Sequence, residues 1–343
     1  MSDIAPKKLL ILYIYDILKK YTDENHCLTQ KNIIDILHRE YDMRVDRKAV
    51  RRNLDDLENA GVDIRYTTAE RIGKSGEIEE IKTDVYLSHD FSDCELRFMI
   101  DSLLFVKNTP HKQVENLVGK IKGLSSVHFR HTMPNTESQF SRKQENKSFF
   151  STVDMINEAI RGNRQISFRY NNYGTDKKLH PVRNADDTVK TFIVNPYRTV
   201  ITNGRYYILG SEDNKNEIEY YQIDRITNTK ILDSCQHNVS EIESGFDFVK
   251  HISEHIYMFS GESERVRFRA NKYILSDIID WFGNDITFTD ETENEVTASV
   301  KVNLKAMKYW AIQYMKYVTI LSPEPLVDEI KSYLYNAIER YNK

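Results

Sequence analysis

The chain has 343 residues, with 48 lysines and arginines against 52 aspartates and glutamates, and its formal net charge is −4. Apolar residues make up 40% and charged residues 29% of the sequence, which is ordinary for a soluble globular protein. The length suggests two or three domains, and the mild acidity by itself neither supports nor excludes nucleic acid as a partner.

Apolar runs in the sequence are short. The strongest, LLILYIYDIL, is interrupted by Asp16 and falls short of the roughly 18 residues needed to span a bilayer. The first residues carry no apolar signal-peptide core, so we expect a cytoplasmic protein without a membrane contact. Cys27, Cys94 and Cys235 lie far apart, so we expect neither a disulfide framework nor a metal site.

Three helices and a hairpin are predicted in residues 1–88. Apolar residues at helical spacing predict a first helix over residues 5–21 and a second that begins after Thr29, a good capping residue. A third helix is predicted between Asp46 and Gly61. Two strand-like runs then flank the sequence GKSG, which suits a hairpin turn. This order predicts a winged helix-turn-helix DNA-binding domain.

The remaining sequence divides into three further segments. Residues 89–148 are predicted to form a helical spacer that ends in a polar linker. Residues 149–236 begin with a helix and continue as several short strands, typical of a small β-barrel or sandwich. Residues 250–343 give strand, helix, strand, strand, helix, strand, helix, the order of a ferredoxin-like domain with one extra helix. The fold class is therefore predicted to be multidomain α+β.

The third helix concentrates positive charge although the chain is acidic. Its sequence, VDRKAVRRNLDDL, has an apolar side formed by Val50, Leu54 and Leu57. About a third of a turn away lie four cations in the N-terminal half of the helix, where a recognition helix enters the major groove: Arg47, Lys48, Arg51 and Arg52. The alternative is an ordinary solvated helix whose cations pair with Asp55 and Asp56. The position between a capped helix and a hairpin favours binding of double-stranded DNA.

Further DNA contacts are predicted around this helix. Thr29 and Gln30 begin the preceding helix, where backbone amides and side chains can meet phosphate. Arg71 and Lys74 lie on the hairpin and are expected to contact the DNA backbone. A homodimer is expected, with half-sites one or more helical turns apart and with the spacer or the C-terminal segment as its interface.

The sequence VDRKAVRRNLDDLENAGVDIRY resembles the helix-turn-helix of DeoR-like transcriptional regulators that carry WYL domains. Where that family has a capping Ser, a Thr and an acidic residue, this chain has Asp46, Ala49 and Asn53. Loss of the threonine hydroxyl removes one phosphate contact. Asn53 adds a side chain able to pair with adenine, so it joins the predicted DNA-binding residues.

The segment from Asn195 to Ile226 resembles the WYL domain, an Sm-like small β-barrel. The family's Trp-Tyr-Leu is present here as Tyr206, Tyr207 and Ile208, its Asp-Arg-Ile is intact at residues 224–226, and Gln222 stands where the family usually has an arginine. Residues 264–341 resemble the extension termed WCX, so the resemblance covers nearly the whole chain.

The resemblance implies a sensor for a nucleotide, a nucleic-acid strand or another anionic ligand. Because side chains alternate along a strand, one ring of the Tyr206–Tyr207 pair is expected to face the core and the other a solvent surface. Aromatic rings and cations together hold nucleotides and single strands. The predicted ligand-binding residues are Tyr170, Arg183, Arg198, Tyr206, Tyr207, Gln222 and Arg225.

Two other functions remain open at this point. In the first, the barrel itself binds single strands as an effector and the winged helix is a protein-interaction module. In the second, the chain is an enzyme, but the sequence has no Ser-His-Asp arrangement and GKSG lacks the strand and residues of a phosphate-binding loop. We therefore expect a regulator that needs no cofactor and has no catalytic residues.

Overall fold

A computed structural model of the protein describes residues 7–72, 78–107, 109–132, 148–213, 215, 217–237 and 246–342. The chain divides into two compact units, residues 1–142 and 143–343. No helix in the described part of the chain is long and apolar enough to cross a membrane.

The first unit begins with three helices and a hairpin. The helices are α1 (Leu10–Tyr21), α2 (Gln30–Tyr41) and α3 (Arg47–Asn59), and the antiparallel strands are β1 (Ile64–Ile72) and β2 (Ile78–Leu87). Their buried residues recur at helical spacing, and they meet in one apolar cluster built around Ile14, Ile17, Ile33, Leu37, Val50, Leu54 and Val85. The predicted order of elements in this segment is thus confirmed.

Three more helices complete the described part of the first unit: α4 (Asp93–Phe105), α5 (His111–Lys122) and α6 (Val127–Thr132). At the start of α4 the Ser92 hydroxyl accepts a hydrogen bond from the Glu95 amide, and the Glu95 carboxylate accepts one from the Ser92 amide. This reciprocal cap satisfies two amides that the first helical turn leaves without partners. A second apolar cluster is formed by Leu96, Ile100, Val114, Val118 and Phe129.

The second unit opens with α7 (Phe149–Arg161) and six strands, which we call the central sheet. They are β3 (Arg164–Tyr173), β4 (Leu179–Pro181), β5 (Thr191–Thr202), β6 (Arg205–Glu212), β7 (Glu219–Gln222) and β8 (Ile226–Cys235). The hydrogen-bonded order is β4-β3-β5-β6-β7, with β8 paired to β3. Asn203 and Gly204 join β5 to β6 with φ of 49° and 71°, the positive values that a type I′ turn requires.

The second unit ends with a smaller α+β segment. Its elements are α8 (Phe248–Glu254), β9 (Ser263–Asn271), α9 (Leu275–Phe282), β10 (Thr287–Thr289), β11 (Glu295–Asn303), α10 (Leu304–Gln313), β12 (Val318–Ser322) and α11 (Glu324–Tyr341). The four strands form an antiparallel sheet in the order β10-β11-β9-β12, which we call the C-terminal sheet. One of its faces packs in a core with Trp310 and Phe282.

Candidate nucleic-acid interface and ligand site

Helix α3 is held so that its cations face solvent. The Asp46 carboxylate caps the helix by accepting a hydrogen bond from the Ala49 amide at 2.7 Å, a contact worth about 1 kcal/mol. Val50, Leu54 and Leu57 are buried in the helical core. The four predicted cations, Arg47, Lys48, Arg51 and Arg52, are all exposed, and none forms an ion pair with a described residue.

Two of the three carboxylates in the second half of α3 bond to a lysine of the hairpin. Lys82 on β2 donates to Asp55 and to Glu58, each at 2.7 Å, and its ammonium lies 4.3 Å from the centroid of the Tyr66 ring. Burial alone would lower the pKa of Lys82, but the two carboxylates outweigh it and raise the pKa above its ordinary value. Asp55 forms its ion pair with Lys82, so the alternative in which Asp55 pairs with the cations of its own helix is not observed.

The Asn53 side chain is buried, not exposed on the cationic side of α3 as expected. It is only 8% exposed, and its amide donates to the Ala49 carbonyl at 2.7 Å. A side chain that is buried and bonded to the preceding turn does not reach a base edge. The expectation that Asn53 pairs with adenine is therefore wrong for this conformation.

The start of α2 supports only part of the predicted phosphate contact. Gln30 is 9% exposed, and its side-chain amide donates to the Lys82 carbonyl at 3.3 Å, so the side chain points into the unit. Thr29 is exposed, but its hydroxyl already accepts a hydrogen bond from the Asn32 amide. Of the features predicted to meet phosphate, the structure leaves exposed the Thr29 side chain but not that of Gln30.

The hairpin and the turn before α3 carry further cations. Arg71 near the end of β1 is exposed, which the predicted DNA contact requires, and Lys74 lies outside the described residues. Arg44, in the turn between α2 and α3, is also exposed and close in sequence to the cationic end of α3. The sequence analysis did not select Arg44, although its position between two predicted helices was visible.

The signature tyrosines of the central sheet lie on opposite faces, and both faces are covered. Tyr207 is buried in a cluster with Leu209 and Met258. Tyr206 packs on the opposite cluster, with its ring 6.1 Å from that of Phe149 on α7. Tyr206 is only partly buried, so the expected division into a core-facing and a solvent-facing ring holds in part, because β6 has packing on each side.

Three of the predicted ligand residues are joined by hydrogen bonds. The Gln222 side-chain amide donates to the Tyr207 hydroxyl at 3.1 Å, and the Gln222 backbone amide donates to the Tyr170 hydroxyl at 3.2 Å. The Gln222 side-chain carbonyl is buried without a partner in the described structure. Burial raises the pKa of Tyr170, so this hydroxyl stays protonated at neutral pH. The arrangement offers a buried acceptor and fixed hydroxyls to a polar ligand.

The predicted arginines of the central sheet are dispersed. Arg225 follows β7 with its guanidinium 5.7 Å from the Tyr173 ring, and its Nε is buried without a described acceptor. Arg183 donates to the backbone carbonyl of Asp187 and forms an ion pair with the Asp187 carboxylate at 3.5 Å. Arg198 is exposed, with its guanidinium 5.5 Å from the Phe248 ring. Arg225 alone is placed near Tyr170, whose pKa it influences.

Arg205, which the sequence analysis did not select, also has a buried Nε without an acceptor in the described part of the chain. Its only sequence signal is its place directly before Tyr206. Among the described residues, no group of three or more His, Cys, Asp and Glu side chains could hold a metal ion.

The fold and these sites define an α+β protein in which a helical unit with an exposed cationic helix precedes an aromatic-rich antiparallel sheet. A profile of the WYL domain matches residues 151–231, which span α7 and most of the central sheet. The chain therefore contains a WYL domain, as its sequence resemblance implied.

Comparison with solved structures gives distant similarities. The chain is similar to the proteasome accessory factor B/C (PafBC) of Arthrobacter aurescens, at 15% identity and a TM-score of 0.30, and the match covers 100% of this chain and 51% of that one. This chain thus spans about half the length of PafBC. It is also similar to a CRISPR Cas-related protein, at 14% identity and a TM-score of 0.37, covering 100% of this chain and 87% of the other. A search of curated proteins gave no match.

Proposed function

We propose that this WYL-domain protein is a transcriptional regulator that binds double-stranded DNA through α3 and responds to a ligand at its central sheet. Residues 1–88 would act as a winged helix-turn-helix domain, residues 89–148 as a helical spacer, residues 149–236 as a barrel-type sensor, and residues 250–343 as a ferredoxin-like extension. A dimer with two-fold symmetry would place two copies of α3 in successive major grooves.

One observation carries the proposal: the cations of α3 are exposed and form no ion pair with a described residue, while Lys82 bonds to two of the three acids of the helix, Asp55 and Glu58. Phosphates and guanine edges attract guanidinium groups, and arginine can donate two parallel hydrogen bonds to guanine. Lys82 keeps two carboxylates of the same helix from opposing a polyanion. The proposed groove residues are Arg47, Lys48, Arg51 and Arg52, with Thr29, Arg71 and Lys74 on the DNA backbone.

The ligand would be a nucleotide, a nucleic-acid strand or another anion held between the Tyr170–Gln222–Tyr207 chain and Arg225. Unpartnered buried polar atoms at Gln222 and Arg225 support this assignment, because such atoms cost free energy until a ligand or water satisfies them. The ligand can change DNA affinity only by its differential affinity for two states of the protein.

The direct test compares binding of genomic duplex fragments by the parent, by Arg51→Ala with Arg52→Ala, and by a matched control. The control, Lys112→Ala with Lys120→Ala, removes two exposed charges from α5. Each phosphate contact contributes about 0.9 to the slope of log affinity against log salt, so loss of two contacts should flatten the slope by about 1.8. The control should keep the parental slope. Equal binding by all three proteins would remove α3 from the proposal.

A second function has its own support: the WYL domain itself binds single strands, and the first unit is an interaction module. The buried Nε of Arg225 beside the Tyr173 ring is the feature that favours it, because rings and cations together hold bases and phosphates. Arg225→Ala should then weaken binding of a single-stranded oligonucleotide while Arg51→Ala with Arg52→Ala should not.

A further inference from the structure

The open face of the C-terminal sheet carries a row of arginines. From Arg265 to Ala270 the residues of β9 alternate: Val266, Phe268 and Ala270 are buried in the core, and the residue before each of them points to the other face. Those residues are Arg265, Arg267 and Arg269, and all three are exposed in the whole chain. We call them the arginine row.

The strands on either side of the arginine row add a cation and hydroxyl groups to the same face. On β11, Lys301 lies opposite Arg265 and Ser299 opposite Arg267, and Thr297, which is buried, lies opposite Arg269. On β12, Thr319 lies opposite Arg269, and on β10, Thr287 and Thr289 lie opposite Ser299 and Thr297. The described residues that share this face through these pairings carry no aromatic ring.

The arginine row is poorly neutralised within the described structure. Arg267 meets Asp290 at 3.9 Å, but the two side chains are 55% and 70% exposed, so the pair is weak. Arg265 and Arg269 have no ion pair with a described residue. Lys301 is bound to the buried Glu254 at 3.2 Å, which leaves Arg265 without an acid across the strand.

Sheet stability alone gives no reason for this pattern. Like charges directly opposite each other on neighbouring strands destabilise a sheet, and Arg265 and Lys301 are such a pair. Successive arginines of the row are about 6.8 Å apart along the strand, so they repel one another as well. An external anion with repeated charges would remove both costs.

The ligand that fits is extended and negatively charged at regular intervals. From Arg265 to Arg269 the row covers about 14 Å, which accommodates about three phosphates of an extended strand. Arginine binds phosphate through paired N–H donors, and serine and threonine hydroxyls are common donors to phosphate oxygens. With no aromatic ring on this face, the bases are not stacked and the contact does not select sequence.

We propose that the open face of the C-terminal sheet binds the phosphodiester backbone of a single-stranded nucleic acid, without selecting its bases. This surface is separate from α3, which is proposed for duplex DNA, and from the Tyr170–Gln222–Tyr207 chain in the central sheet. The two proposals can therefore fail independently.

The test uses the full chain and fluorescein-labelled single-stranded oligonucleotides of about 12 residues, one DNA and one RNA, read by fluorescence anisotropy. The variant replaces Arg265, Arg267 and Arg269 with threonine, which suits a strand. Each backbone contact contributes about 0.7 to the salt slope, so the variant's slope should be flatter by about 2. Between about 50 and about 200 mM salt, this is roughly a 20-fold smaller loss of affinity than the parent shows.

A matched control removes three cations of the same segment away from this face: Lys316→Ser, Lys331→Ser and Arg340→Ser, all exposed. The control should bind the single strands as the parent does. A second variant, Ser299→Glu, places a carboxylate beside Arg267 while the arginines remain. It should weaken single-strand binding at least 10-fold. If the triple variant does not fold, this single variant tests whether the face binds the strand.

Several results would overturn this assignment. One is failure of the parent to bind either oligonucleotide, and another is parental affinity in both sheet variants. A third is loss of single-strand binding in Arg225→Ala but not in the sheet variants, which would assign the strand to the WYL domain. A fourth is an equal loss of duplex binding in the sheet variants, because the face would then not be specific for single strands.

Discussion

Replacing Lys82 with methionine tests whether the hairpin lysine prepares α3 for DNA. The change keeps the apolar stem and removes the ammonium that bonds to Asp55 and Glu58. The lysine side chain is 15% exposed and its partners 42% and 43%, so each bond is partly screened by solvent. We expect each to contribute about 0.5–1 kcal/mol, and Lys82→Met to lower the free energy of unfolding by about 1–2 kcal/mol.

DNA affinity should fall for a separate reason. Without Lys82, Asp55 and Glu58 present two free carboxylates to the duplex, and Asp55 is one helical turn from Arg51 and able to pair with it. A unit charge at about 10 Å in water contributes about 0.4 kcal/mol before salt screening. Two such charges and a partly occupied Arg51 should weaken duplex binding about 3- to 10-fold.

The assay is a two-part cycle of chemical denaturation and duplex titration. Adding Asp55→Asn and Glu58→Gln to Lys82→Met removes the freed carboxylates, so duplex affinity should return close to the parental value while stability stays low. The Lys82 contribution to stability is constant at neutral pH and is lost only as pH rises above 10.5, because its pKa is raised in the folded state. Unchanged affinity in Lys82→Met would refute the view that the hairpin lysine protects the cationic face of α3.

Two further predictions concern the second unit. Burial, then the neighbouring His255 and Lys301, lowers the pKa of His251 to about 3, so the folded state stays neutral where the unfolded chain takes up a proton. The free energy of unfolding should therefore fall as pH falls below about 6.5, by about 1 kcal/mol at about pH 5 after allowance for partial exposure. In chemical denaturation, His251→Gln should lose this contribution to the pH dependence of the free energy of unfolding. Tyr207→Phe leaves the Gln222 amide without its acceptor and should lower the free energy of unfolding by about 1–2 kcal/mol, whereas an unchanged denaturation midpoint would mean that water already serves this amide.

Local signals in the sequence predicted local structure well. Ser92 followed by Glu95 is the pattern of a reciprocal helix cap, and Asn203–Gly204 is that of a tight turn, and the structure has both. Both depend on neighbouring residues only. The alternation of β9 likewise follows from the strand period, although the sequence alone did not indicate that its exposed face is so poorly neutralised.

Helical periodicity would have predicted the burial of two polar side chains that their residue type suggested were exposed. Asn53 lies three residues after Val50 and four before Leu57, which places it on the buried side of α3 despite its polar amide. Gln30 lies three residues before Ile33 in the same way. Each is buried because a backbone carbonyl accepts its amide, at Ala49 and at Lys82, and no pattern along the chain predicts such an acceptor.

Contacts between distant segments account for the rest. Lys82 meets Asp55 and Glu58 across 27 and 24 positions, so its role depends on how the hairpin packs on α3. Tyr207 is buried against the segment around Met258, and Tyr206 on the other face of β6 is partly buried against Phe149 of α7. Strand alternation separated the two rings correctly but could not show what lies on each side.

The net charge of the chain does not show which surfaces could bind nucleic acid, whereas the pairing of each cation with an acid does. Lys308 is bound to Glu329 and Lys82 to two carboxylates, so these lysines are already neutralised by the fold. On α3, and at Arg265 and Arg269 of the arginine row, cations are exposed without an ion pair to a described residue. A protein with a net charge of −4 repels nucleic acid at long range. The proposed surfaces must therefore attract phosphates through short-range contacts of solvent-exposed cations. Binding at both surfaces should therefore be strongly salt-dependent, with a steeper slope for each duplex contact than for each single-strand contact.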